Sequence, residues 1–258
     1  ANNPKRAFLF TNVTDSKGHK YQGDCDVMVG GTAGSPAIYA ASLGIEDTGD
    51  DLTALSQKIF DKWLHAFENP IPAVEIPSEE APVQEIVITG DDLKGGEGKG
   101  LASLPVPNNT PGWDTAPYFS AGLWITKDLE TDVENISQNR CSLKASDRMT
   151  AMWLIQTNGG AHNNWVKYKE RGEKMPVALI VGAPPMLQVI GPQKTPENLN
   201  DLDVAGGLAG VAYRKVRCKT VPLWAPADAQ IIIEGWIDPT KLEMEAPFGE
   251  SYGNMSVE

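Results

Sequence analysis

Apolar residues along this chain fall mostly in short runs broken by Gly- and Pro-rich turns. Ala7-Phe8-Leu9-Phe10 and Val27-Met28-Val29 read as strands, the second running into Gly30-Gly31-Thr32-Ala33-Gly34. Ser35-Pro36 reads as a helix start, because proline is tolerated where the first N–H has no partner. The strongest periodic signal lies at 51–67, where Leu52, Leu55, Ile59, Phe60, Trp63, Leu64 and Phe67 recur at helical spacing before Asn69-Pro70. That stripe, aromatics included, is expected to face a core. Residues 70–83, rich in Pro and Glu, read as a connector. Residues 118–126 alternate as one strand would, with 128–134 as its turn, and 165–171 read as a short helix closed by Gly172. The unbroken apolar run from Val177 to Val181 predicts a buried strand, and the β-branched stretch 230–237 predicts another. Many short strands with few long helices predict an α+β chain: an N-terminal α/β segment over 1–100, then a β-rich, split-barrel-like core over 101–258 with flanking helices.

Composition narrows the class. Of 258 residues, 41% are hydrophobic and 22% charged, which suits a globular protein and excludes wholesale disorder. The 22 Lys+Arg against 34 Asp+Glu leave a net charge of −12, which disfavours nucleic acid as a partner. No apolar run approaches the roughly 20 residues that span a bilayer, and no secretory core follows Ala1 to Arg6. The 3 cysteines form no CxxC pair, which fits a reducing compartment; the expected location is cytoplasmic. Gly98-Lys99 lies in a glycine-rich loop without the spacing or Ser/Thr of a P-loop, so a solvated loop is expected there.

Three clusters carry candidate chemistry. In Glu245-Ala246-Pro247-Phe248-Gly249-Glu250, a Pro and a Gly let the backbone turn sharply, so that both carboxylates can aim at one place. Converging carboxylates can divide the labour, one holding a proton while the other stays ionised; a solvated acidic turn is the plainer alternative. Arg140, at the end of Asn135-Ile136-Ser137-Gln138-Asn139-Arg140, is either a surface cation or, if buried, a permanent charge with a rigid donor fork for a carboxylate. Asp201 and Asp203 could supply oxygens to a hard cation, or simply begin a helix. Of the histidines His19, His65 and His162, only His162 lies near other candidate ligands.

In order and spacing, these clusters resemble the UbiD family of reversible decarboxylases, which use prenylated FMN. Residues 245–250 resemble the family's Glu-x-Pro-x-Gly-Glu motif, and Asn135 and Arg140 keep its Asn-to-Arg interval of five. Pro196-Glu197-Asn198-Leu199-Asn200-Asp201 resembles the segment that contributes a metal-binding carboxylate. The resemblance implies a flavin-reductase-like split barrel and a catalytic network of Arg140, Glu245 and Glu250, with Glu250 moving the proton at the carbon that loses CO2. It implies that Asn135 and Asp201 ligate a divalent cation, manganese, with potassium nearby. It further implies that Asn135, Gln138, Asn139 and Arg140, together with Gly191, Pro192, Gln193 and Lys194, line the cofactor.

Two departures from the family pattern stand out. Asp201 replaces the family's usual Glu, and the family's metal-ligand His has no counterpart in register, where Thr157 falls. Family members also extend before the first strand and well beyond the acidic motif, so this chain is expected to hold only the catalytic core. The implied function is a prenylated-FMN-dependent non-oxidative carboxylase or decarboxylase, a carbon–carbon lyase. It would act on an aromatic or α,β-unsaturated carboxylic acid, or on the decarboxylated product with CO2, within a homo- or hetero-oligomer. The alternative is a non-catalytic subunit of a larger carboxylase.

Overall fold

The computed structural model describes residues 6–14, 26–46, 48–49, 51–95, 98–108, 110, 114–153, 159–245, 247–249 and 255–256. In chain order, β1 (Phe8–Phe10) and β2 (Val27–Val29) pair antiparallel and precede α1 (Pro36–Ser42), α2 (Leu52–Glu68) and β3 (Val74–Glu75). Next come β4 (Tyr118–Phe119), β5 (Leu123–Lys127), β6 (Glu134–Gln138), β7 (Cys141–Ala145), β8 (Arg148–Met149) and α3 (Gly160–Arg171). The chain continues through β9 (Met175–Val181), α4 (Pro185–Ile190), α5 (Asp201–Ala209), β10 (Arg214–Arg217), β11 (Trp224–Pro226) and β12 (Ile231–Ile237). It closes with the short pair β13 (Phe248–Gly249) and β14 (Met255–Ser256).

A four-stranded antiparallel sheet, ordered β12-β9-β5-β6, organises the molecule. Alternation sends Leu123, Ile125, Ile136, Ala178 and Ile180 to one face, where Trp63 of α2, Leu187 of α4 and Leu208 of α5 join them in a core. Trp124, Val177 and Leu179 point to the other face and pack with Tyr168 of α3 and with Phe119 and Cys141. Because both faces are covered, β9 is buried along nearly its whole length, which explains its unbroken apolar run. Each such Leu or Ile contributes about 1.5–3 kcal/mol by leaving water. Smaller sheets flank this one: β11-β10-β3, with β3 parallel to β10, and β4-β7-β8. The packing of α2 and β3 against later elements runs across position 100.

The mixed α/β character agrees with the sequence pattern, and three details differ from it. The alternating stretch 118–126 is two strands in different sheets, β4 and β5, with the break at 120–122. On α2, Leu55, Trp63 and Ala66 are buried, whereas Leu52, Phe60 and Leu64 are exposed. At about 100° per residue, Phe60 and Leu64 fall well off the line of the buried three, so the apolar stripe is wider than the face it packs. Asp51 caps this helix, its Oδ1 accepting from the Ala54 N–H at 2.9 Å, and Ser35 caps α1 in the same way. Helix α3 begins five residues before the expected 165 and stops as expected at Gly172, a left-handed residue with φ 69°. No helix among the described residues is long and apolar enough to cross a membrane.

Candidate functional site

The two-residue link between β6 and β7 carries Arg140 out of the central sheet and into the β4-β7-β8 sheet. There it meets the segment that follows β12. Glu243 pairs with Arg148, the Met244 carbonyl accepts from Lys144 Nζ at 3.0 Å, and Glu245 pairs with Arg140. Three successive residues are thereby fastened to the β7–β8 hairpin. Arg140 and Glu245 are only 7% and 6% exposed. Both Arg140 Nε (2.9 Å) and Nη2 (2.7 Å) donate to one oxygen, Glu245 Oε2. Glu245 Oε1 is buried and has no hydrogen-bond partner among the described residues. A buried, charged oxygen is costly to leave unpaired, so Oε1 is an acceptor still open to a donor beyond the described residues.

Aromatic side chains complete this pair. The Phe248 ring lies 4.5 Å from Arg140 Cζ, and Tyr118 packs on Phe248 at 4.9 Å. Burial, reinforced by the Glu245 charge, pushes the Tyr118 hydroxyl up to about 12, although the nearby Ser142 side chain and the Arg140 charge oppose the rise. The same two causes raise the Cys141 thiol, which is therefore an inert thiol rather than a nucleophile.

Asn135 and Asp201, expected as metal ligands, also come together. Asp201 opens α5 behind Asn200 and is 1% exposed. Its Oδ2 accepts from Asn135 Nδ2 at 2.9 Å and from the Ile136 N–H at 2.5 Å, while its Oδ1 accepts from the Thr195 hydroxyl. Asn135 Oδ1 in turn accepts from Ser137 at 2.5 Å. Burial lifts the Asp201 carboxyl to about 6, against the lowering effect of Thr195 and Ile136. Next to Asn135, burial lifts Glu134 to about 7, although the Trp224 N–H and nearby cations oppose it.

This donor set does not fit a divalent cation as it stands, because the oxygens that would ligate it already accept N–H and O–H bonds. No cluster of three or more His, Cys, Asp or Glu suited to a metal occurs among the described residues. His162 sits in the first turn of α3, its ring 5.7 Å from Trp165 and its Nδ1 buried without a partner among the described residues. Gly160, two residues earlier, lies against Asn135, since a Cβ there would fall 2.5 Å from Asn135 Cγ.

The expected cofactor-lining residues form a second strip along the same run of chain. The Gln138 N–H donates to the Gly191 carbonyl at 2.9 Å, joining β6 to the end of α4. Glycine suits this position: a Cβ on Gly191 would lie 2.4 Å from Cδ2 of buried Leu123, whose side chain would have to shift. Asn139 is pinned by its N–H to the Gly122 carbonyl at 3.2 Å and by Trp124 Nε1 to its own carbonyl at 3.1 Å. Pro192, Gln193 and Lys194 are exposed, and Lys194 makes no ion pair among the described residues.

Of the expected site residues, Arg140 meets Glu245, Asn135 meets Asp201, and Gln138 meets Gly191. Glu250 and Thr157 lie outside the described residues. Sequence reasoning did not single out Ser137, Thr195, Tyr118 and Phe248 as parts of the site. Ser137 carried a usable signal, standing two residues from Asn135 on a strand and so on the same face. Phe248 lies inside the acidic motif itself. Thr195 meets Asp201 through the short turn that leads into α5, and Tyr118 meets Phe248 far along the chain; neither residue type announced its role.

A buried Arg–Glu pair with one carboxylate oxygen unengaged among the described residues is the main charged feature of this region. The chain belongs to the UbiD family: residues 74–258 match the family's 3-octaprenyl-4-hydroxybenzoate carboxy-lyase Rift-related domain. It is 34% identical over 172 residues to the Synechocystis protein sll0936, covering 67% of this chain and 32% of that one. The UbiD-class enzyme HmfF of Pelotomaculum thermopropionicum, solved in complex with FMN, superposes with a TM-score of 0.77 at 27% identity over 90% of this chain and 47% of its own. An evolved dimeric form of HmfF with prenylated FMN gives 0.76 at 28% identity, over 90% of this chain and 49% of its own. The chain thus spans about a third to a half of the length of these relatives.

Proposed function

We propose that this chain is the catalytic core of a prenylated-FMN-dependent, non-oxidative carboxylase or decarboxylase acting on an aromatic or α,β-unsaturated carboxylic acid. The observation that carries the reading is the buried Arg140–Glu245 pair, with Glu245 Oε1 unpartnered among the described residues. Gln138, Asn139 and the loop from Gly191 to Lys194 would hold the flavin, with the β-rich core acting as a split barrel around it. When bound, the prenylated flavin supplies the electron sink that a decarboxylated sp2 carbon needs.

The chain's own residues do the rest. Arg140 neutralises Glu245 and, in the same buried setting, orients a substrate carboxylate. Glu245 Oε2 stays fixed by two donors, so Oε1 is the atom free to accept a proton or a hydrogen bond. Glu250 would deliver the proton to the carbon that loses CO2, or remove it in the reverse direction. No step passes through a cation at Asn135 and Asp201. The reading includes assembly into an oligomer and residence in the cytoplasm.

Purification from cells that make prenylated FMN, under anaerobic conditions, tests this directly. The expected result is a visible flavin spectrum, a bound prenylated-flavin mass, and exchange of labelled CO2 into an aromatic acid that Glu250→Gln abolishes without loss of flavin. Protein that binds no flavin, or a Glu250→Gln variant that still exchanges CO2, would overturn it.

A further inference from the structure

A cavity of about 320 Å³ opens between the β5–β6 hairpin, the start of α5 and strands β10 and β11. It lies on the side of β6 that carries Glu134 and Ile136, opposite Asn135. Buried Ile125, Ile136 and Leu202 form its floor. Lys215 and Arg217, two apart on β10 and therefore on one face, extend over the Trp224 ring at 4.9 and 4.8 Å. Stacking on the indole fixes both cations at the cavity wall instead of leaving them to wander in solvent.

The charged groups lining the cavity are three cations and three carboxylates. Lys127 is taken by Asp132 at 2.8 Å, while Asp203 and Glu134 accept only backbone N–H bonds, from Ala73 at 2.8 Å and from Trp224 at 3.0 Å. Neither Lys215 nor Arg217 makes an ion pair among the described residues. The two stacked cations are therefore the pair on this wall to which an anion can come. Because the lining is neutral in sum, one added negative charge is accommodated more readily than the two of a phosphate dianion. The volume also exceeds what a bare ion fills and leaves room for a compact apolar body.

We propose that this cavity is a second binding site, for a small organic acid whose carboxylate meets Lys215 and Arg217 and whose apolar body lies on Ile125, Ile136 and Leu202. The Glu134 N–H donates to Asn200 Oδ1 at 2.9 Å, so the cavity wall is continuous with the Asn135–Asp201 pair, and an occupant would bear on it. The inference does not depend on the proposed reaction, and failure of flavin loading leaves it intact.

Titration calorimetry of the whole chain with benzoate as probe and orthophosphate as control tests the site. Saturable benzoate binding is expected, weakened about tenfold or more by Arg217→Gln, the effect of losing one charge-assisted hydrogen bond. Lys215→Arg, which keeps the charge, should bind as the parent does. Circular dichroism and melting curves establish that each variant is folded before its titration is read. Absence of benzoate binding, binding unchanged in Arg217→Gln, or orthophosphate held as tightly as benzoate would each overturn the proposal.

Discussion

Replacing Arg140 with alanine would strand the Glu245 carboxylate at a position only 6% exposed, with its two donors at 2.7 and 2.9 Å gone. Removing one member of a buried ion pair costs about 3–5 kcal/mol, because the remaining charge keeps its desolvation penalty without its partner. Against a total stability of about 5–15 kcal/mol, that is a large fraction. With a urea dependence of about 3 kcal/mol per molar, the unfolding midpoint should fall by about 1–1.7 M. The informative comparison is a double-mutant cycle in which Arg140→Met and Glu245→Leu are made singly and together. Each single change should be costly and the pair much less so, since replacing both partners with apolar side chains is often close to neutral. Arg140→Lys should restore stability only in part, because one ammonium cannot reproduce two donors fixed on a single oxygen over the Phe248 ring. An Arg140→Ala loss below about 1 kcal/mol, or a double variant as unstable as the singles combined, would refute a desolvated pair at this site.

Other outcomes follow from the same geometry. Asp201, lifted to about 6 from 3.8 chiefly by burial, makes the folded state bind its proton more tightly than the unfolded chain does. Its stabilising contribution is therefore complete below about pH 4 and is lost as pH rises through about 6; Asp201→Asn should remove that decline in urea midpoints taken from pH 4 to 7. Gly191→Ala should cost about 1–3 kcal/mol by melting or denaturant titration, because its Cβ meets Leu123, and should weaken flavin retention in parallel. Phe248→Ala should lower activity with little change in flavin content, since its ring holds the Arg140 guanidinium in place; unchanged turnover would remove it from the site.

Legibility in the sequence depended on how local each cause was. Helix α2, the buried run of β9 and the Gly172 stop depend on nearest neighbours along the chain, and all three could be read. The division of 118–126 between two sheets could not, because it is decided by which strands Tyr118 and Leu123 pair with, Ser142 in one case and Gln138 and Ile180 in the other. At the site, the acidic motif and the interval from Asn135 to Arg140 were visible as spacing. That the Arg140 guanidinium closes on Glu245 across 105 positions was not visible as chemistry, and only the family resemblance brought the two together. The occupancy of Asp201 by Asn135, Ile136 and Thr195 depends on burial, which residue types alone do not report.

The stretch from Asn135 to Arg140 behaves as a ruler. Its first residue is tied to α5, its middle to Gly191, its next-to-last to Gly122 and its end to Glu245. Side chains along a strand alternate, so inserting or deleting one residue between the ends would turn one functional group to the opposite face and pull its anchor out of register. A substitution inside the ruler acts on one contact; a change in its length displaces several at once. In this architecture the interval carries information that individual residue identities do not, and redesign of the site has no freedom in how many residues lie between its ends.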